Sequence, residues 1–130
     1  MKPQWKGIYP ALTTKFTENY KIDIPSCIKN VEAQINAGIH GCVIAGSLGE
    51  ASTLTQNEKI VILKEILNHV NGRIPVLMNI AEQSTVAAVQ AAQNAQETGA
   101  DGLMMLPPMR YVSDDRETIE FYKAVASSCD

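Results

Sequence analysis

One joint occurs twice in this chain. Ala37-Gly38-Ile39-His40-Gly41-Cys42 and Thr98-Gly99-Ala100-Asp101-Gly102-Leu103 each place a glycine where a helical pattern stops and another where an apolar run begins. This recurrence constrains the fold more than any other feature. It reads the chain as strand–helix units repeating at about thirty residues, the size of a βα module.

Four such units can be laid out. Residues 7–16 read as a first strand, with Pro10 an awkward member because proline brings no N–H to a sheet. Asp23 reads as a helix N-cap, with Pro25 in the first turn. Ile28, Val31 and Ile35 recur at helical spacing to about Asn36, and Gly38 stops the helix. Residues 41–45 are a short continuous apolar run, as in strands covered on both faces.

Thr55 followed by Glu58 has capping-box spacing and opens a second helix that buries Ile60, Leu63, Ile66, Leu67 and Val70. Residues 74–80 form the third strand. Ser84 caps a third helix with Val86, Val89, Ala91, Ala92 and Ala95 inward, ended by Gly99. Residues 102–106 form the fourth strand, stopped by Pro107-Pro108. Ser113 or Asp114 caps a last helix with Ile119, Tyr122, Val125 and Ala126 inward.

Two α/β architectures use such units, the open doubly wound sheet and the closed (β/α)8 barrel. Periodicity alone leaves them level. A closed barrel takes eight strands and about 250 residues, so on that reading these 130 residues are one half of it.

The composition, 45% hydrophobic and 19% charged, is that of an ordinary globular domain with a core. A net charge of −3 with scattered arginines (Arg73, Arg110, Arg116) offers no basic stripe for nucleic acid or a membrane surface. No run approaches a membrane span, and the N-terminus lacks a leader pattern. Cys27, Cys42 and Cys129 fit neither a disulfide framework nor a zinc spacing. They read as reduced, buried thiols, and the expected location is cytoplasmic.

In both architectures chemistry gathers at the C-terminal ends of the strands. That rule selects Thr13, Thr14 and Lys15 after the first strand and Gly46-Ser47-Leu48-Gly49-Glu50 after the second. It also selects Asn79 and Glu82 after the third, and Met109, Arg110 and Tyr111 after the fourth. His40 and His69 fall elsewhere. The glycine-bracketed loop is the most informative: its backbone N–H groups can cradle a carboxylate or phosphate, with the Ser47 hydroxyl beside them. A plain βα turn is the competing reading. Glu50 reads more readily as a carboxylate folded back onto loop N–H groups than as a general base. Asn79 and Glu82 read as solvated loop polarity, and Lys15 as solvent-facing.

These residues together resemble the dihydrodipicolinate synthase and N-acetylneuraminate lyase family over the whole chain. Thr13-Thr14-Lys15-Phe16 is similar to the family's first-strand ending, commonly Val-Thr-Pro-Phe. Gly46-Ser47-Leu48-Gly49-Glu50-Ala51, with Leu54 and Glu58-Lys59 after it, is similar to the hallmark Gly-Thr/Ser-Thr-Gly-Glu loop. Arg73-Ile74-Pro75-Val76 resembles the entry to the third strand, and Leu106-Pro107-Pro108 with Tyr111 the Pro-Tyr-Tyr type segment.

The resemblance implies a (β/α)8 TIM barrel, usually tetrameric, of which residues 1–130 are the N-terminal half. It implies a Schiff-base aldolase or lyase acting on pyruvate or another 2-keto acid, with no metal and no organic cofactor. By this resemblance Ser47 is catalytic, in proton relay. Gly46, Ser47, Leu48, Thr13 and Thr14 bind substrate, and Gly49 and Glu50 shape the loop. The imine-forming lysine and the relay tyrosine are expected beyond Asp130. Two positions depart from the family pattern: Leu48 replaces a second hydroxyl residue, and Met109 stands where the synthase has a tyrosine, with Tyr111 close by. Relatives acting on keto-sugar acids or pyrroline carboxylates, and a non-catalytic keto-acid-binding half-barrel, are the alternatives. The expected partners are the small-molecule keto acid and further copies of the chain, as a tetramer or dimer.

Overall fold

The computed structural model describes residues 4–129. Helix α1 (Ile24–Asn36) is followed by β1 (Cys42–Ile44), α2 (Gln56–Val70), β2 (Val76–Ile80), α3 (Thr85–Thr98), β3 (Gly102–Met105) and α4 (Asp115–Ala126). The strands are parallel, in the order β1-β2-β3, with Val43 opposite Leu77 and Leu77 opposite Gly102.

The expected ten-residue first strand is not formed as such. Residues near Ala11 lie parallel to β1 through a single bridge to Val43. Leu12 N–H donates to Val43 at 2.8 Å, Val43 N–H to Pro10 at 2.9 Å and His40 N–H to Ile8 at 2.9 Å. Pro10 brings no N–H, and Gly7 is left-handed (φ +95°), so the ladder cannot extend. Past Thr14 the chain turns back, with Phe16 bridged antiparallel to Ile22.

The helix boundaries follow their chemistry. Asp23 accepts from Ser26 N–H at 3.0 Å, and Pro25 sits in the first turn of α1. Thr55 and Glu58 form the reciprocal capping box of α2, and Ser84 caps α3. Asp114, not Ser113, caps α4, because Glu117 three residues on completes its box. Left-handed Asn71 and Gly99 close α2 and α3.

Each helix packs against the next, α1 on α2, α2 on α3 and α3 on α4. With strands in sequential order, this places all four helices in one layer. A doubly wound sheet distributes its helices over both faces; a barrel wall does not. The core lies between the layers, where Val31, Ile44, Leu63, Met78, Ile80 and Val125 are fully or almost fully buried. Each such side chain contributes about 1.5–3 kcal/mol by leaving water. Ala88, Ala92 and Ala95 let α3 approach closely. The expected inward stripes need three corrections: Val86 and Ile119 are 82% and 52% exposed, and Ala126 is exposed. Ala88 and Phe121 take the inward places, because each lies four residues before a buried neighbour (Ala92, Val125), whereas Val86 and Ile119 lie six before and leave that face.

The twin glycines of the repeated joint have a packing reason. A Cβ on Gly41 would overlap the Tyr9 ring, and one on Gly102 would meet Trp5 at 2.7 Å. Both rings therefore lie across strand entries, 6.2 Å apart.

Candidate active site: the loop after β1

Three features shape the end of β1. Ala45 adopts a left-handed conformation (φ +52°), which costs a residue with a Cβ about 1–2 kcal/mol. Gly46 then leads into a single 3-10 turn, Ser47–Gly49, closed by left-handed Glu50. The Gly46 carbonyl accepts from Gly49 N–H at 2.9 Å and Ala51 N–H at 3.2 Å, and the Ser47 carbonyl from Glu50 N–H at 3.1 Å. A Cβ on Gly49 would sit 2.9 Å from the Leu12 carbonyl, so only glycine fits there.

Ser47 N–H, Leu48 N–H and the Ser47 hydroxyl have no partner among the described residues. Ser47 and Leu48 are exposed. Two unpaired backbone donors at the start of a helical turn, next to a hydroxyl, can receive the two oxygens of a carboxylate. Ser47 lines a cleft of about 560 Å³ together with Thr55, Lys59, Glu82, Met109 and Arg110. The ends of β1, β2 and β3 thus converge on one space, and Arg110 is exposed in it.

The two threonines lie apart from that cleft. Thr14 is buried, and its hydroxyl donates to the Gly49 carbonyl at 2.7 Å. It supports the turn from below. Thr13 is exposed, and its hydroxyl accepts from Asn30 at 3.4 Å. The Glu50 carboxylate is exposed and has no partner among the described residues, so it is not folded back; the residue shapes the loop through its left-handed backbone. Lys15 is partly buried, and its backbone N–H is directed at the Cys27 sulfur at 3.3 Å.

Two expectations of solvated polarity fail. Asn79 is 2% exposed and donates from Nδ2 to the Ala45 carbonyl at 3.1 Å. Glu82 accepts from Lys59 Nζ at 2.9 Å and from Gln56 at 2.7 Å. Lys59, itself 6% exposed, enters the sequence reading only as part of the Glu58-Lys59 match, without its burial or its partner. Its position three residues before Ile62 and four before Leu63, on the buried face of α2, is the signal that would have found it.

Met109 and Tyr111 face different spaces. Met109 lines the Ser47 cleft, whereas Tyr111 lines a separate one between the start of α3 and α4. Cys27 and Cys42 are buried and Cys129 half-buried, none in a disulfide. Burial pushes the Cys42 thiol up to about 12 and raises that of Cys27, so neither is a nucleophile at neutral pH. Among the described residues no three His, Cys, Asp or Glu side chains gather as a metal site. No described helix is long and apolar enough to cross a membrane.

The dihydrodipicolinate synthetase family profile matches residues 4–130. The chain belongs to this family. It is 35% identical over 123 residues to the 4-hydroxy-tetrahydrodipicolinate synthase of Magnetococcus marinus, covering 95% of this chain and 42% of that relative. It superposes with a TM-score of 0.94 and 30% identity on the chloride-inhibited dihydrodipicolinate synthase from Acinetobacter baumannii complexed with pyruvate, over 98% of this chain and 44% of that one. A prophage protein of the same family from E. coli K12, in complex with pyruvate, gives 0.90 at 31% identity, over 95% and 42%. The family chains are TIM barrels, and the units described here are the first βα units of that barrel. The chain spans less than half the length of these relatives.

Proposed function

We propose that the protein containing this chain is a Schiff-base-forming lyase or synthase acting on pyruvate or another 2-keto acid. The chain contributes the half-site that holds the keto acid's carboxylate. The observation that carries this reading is the unpaired trio of Ser47 N–H, Leu48 N–H and Ser47 hydroxyl, at a residue, Ser47, that lines a cleft. Family relatives solved with pyruvate support the substrate class. With the carboxylate on these donors, the keto carbon meets an amine from a lysine outside residues 1–130, and water leaves as the imine forms. The Ser47 hydroxyl then passes a proton between the reacting carbon's substituents and a relay group.

Leu48 brings no hydroxyl, so its contribution is the backbone N–H alone. Lys59 is not the nucleophile, because its ammonium is held by Glu82. Arg110, on the same cleft, suits a substrate with a second acidic group. The three thiols, none of them in a disulfide, suit the cytoplasm, and the working assembly is a homo-oligomer, tetramer or dimer. No metal or organic cofactor takes part in the proposed chemistry.

The test is the intact mass of the natural protein after incubation with pyruvate and borohydride. One reduced pyruvate adduct, mapped to a lysine outside residues 1–130, is expected. Binding of pyruvate without any adduct would replace the lyase with a non-catalytic keto-acid-binding barrel.

A further inference from the structure

Asn79 is out of place for a strand residue. Asparagine is disfavoured in strands, and this one is buried with its Oδ1 unpaired among the described residues. The orientation of the carboxamide is not in question. Only its NH2 can face the Ala45 carbonyl, since two oxygens would repel. Ala45 is strained in the left-handed region. Its carbonyl lies one residue past the last paired position of β1, Ile44 opposite Met78. Two unfavourable features thus meet in one hydrogen bond, at the residue before Gly46. A buried polar side chain retained at such a cost calls for a reason.

We infer that Asn79 is a positioning residue for the Ser47 loop. Its carboxamide extends the β1–β2 ladder by one bond, fixes the Ala45 carbonyl and so sets the direction in which Ser47 N–H and Leu48 N–H leave the sheet. Asn79 touches no substrate; it acts through Ala45. The inference rests on the carboxylate-holding role proposed for the loop.

The test uses the natural protein with Asn79→Leu, Asn79→Asp and, as a control on the helix-facing side of the same strand, Met78→Ala. In Asn79→Leu, KM for pyruvate rises about tenfold, the scale of one lost buried hydrogen bond, while kcat changes less. Met78→Ala lowers the melting temperature and leaves KM unchanged. In Asn79→Asp the protonated acid can donate to Ala45 and the carboxylate cannot, so its KM relative to wild type at the same pH worsens as pH rises. An unchanged KM in Asn79→Leu, an equal rise in Met78→Ala, or a flat ratio in Asn79→Asp each overturns the inference. Should Asn79→Leu not fold, the Asn79→Asp profile decides. If wild type traps no pyruvate, the proposed function has failed, and the clamp is read from hydrogen exchange instead. Faster exchange of the Gly49 and Ala51 amides in Asn79→Asp at high pH supports it, and unchanged exchange rejects it.

Discussion

The loops after β1 and β2 stand at the same end of the sheet and treat their polar groups in opposite ways. After β2, Glu82 is held by Lys59 and Gln56, so its charge is answered within the chain. After β1, two backbone donors and a hydroxyl have no partner among the described residues, and Ser47 lines a cleft. Both loops are polar in sequence, and only pairing separates them. A satisfied group contributes to stability. An unsatisfied one at a cleft rim is available to a ligand, and water is its partner until one arrives. Changes at Ser47 should therefore act on turnover, and changes at Lys59 on stability.

The largest effect expected is on activity. Ser47→Ala in the natural protein should lower kcat by about 100-fold or more, the scale of losing a proton-transfer group, with an unchanged melting temperature. Steady-state kinetics beside a thermal melt would show it, and an unaltered rate would erase the contrast between the loops. Next, Lys59→Met leaves the Glu82 carboxylate beside an apolar wall. Urea denaturation should show a loss of about 2–3 kcal/mol, below that of a fully enclosed pair because Glu82 keeps some water contact. Adding Glu82→Gln should recover most of it.

Thr14→Val sharpens the comparison from beneath. It keeps the volume but leaves the Gly49 carbonyl without its buried donor, and should cost about 1–2 kcal/mol in the same assay. The smallest effect belongs to the outer layer, far from either loop. Arg73 holds Glu32 through two bonds, at 3.0 and 2.7 Å, and His69 adds a third, so the carboxyl falls to about 2 from its usual 4.5. A depressed folded value stabilises above the unfolded one and is lost as the carboxylate protonates. Stability should therefore decline as pH falls from about 4.5 toward 2. Melting curves of Glu32→Gln across that window should lack this part of the decline, and salt should shrink the difference.

Much of the fold was legible because local chemistry specifies it. Asp23, Thr55 and Ser84 cap the helices they were assigned, since each has a hydrogen-bond donor at a fixed offset. The glycine joints were legible as punctuation, but not their reason, which is the pair of rings of Trp5 and Tyr9 brought from a distant segment. The first strand failed where a proline and a left-handed glycine limited its ladder. Of the site, the Ser47 loop was legible from its glycines. The bonds of Thr14 to the Gly49 carbonyl and of Asn79 to the Ala45 carbonyl were not legible, because whether a strand-end side chain props a neighbouring backbone depends on contacts across more than thirty residues. Strand alternation, which puts Asn79 on the same face as Leu77, was the one available hint.

The most direct measurement is a crystal structure of the natural protein with borohydride-trapped pyruvate. The pyruvate carboxylate should lie within hydrogen-bond distance of Ser47 N–H and Leu48 N–H, with the Ser47 hydroxyl beside it. A trapped pyruvate whose carboxylate lies elsewhere, with water on both amides, would contradict this.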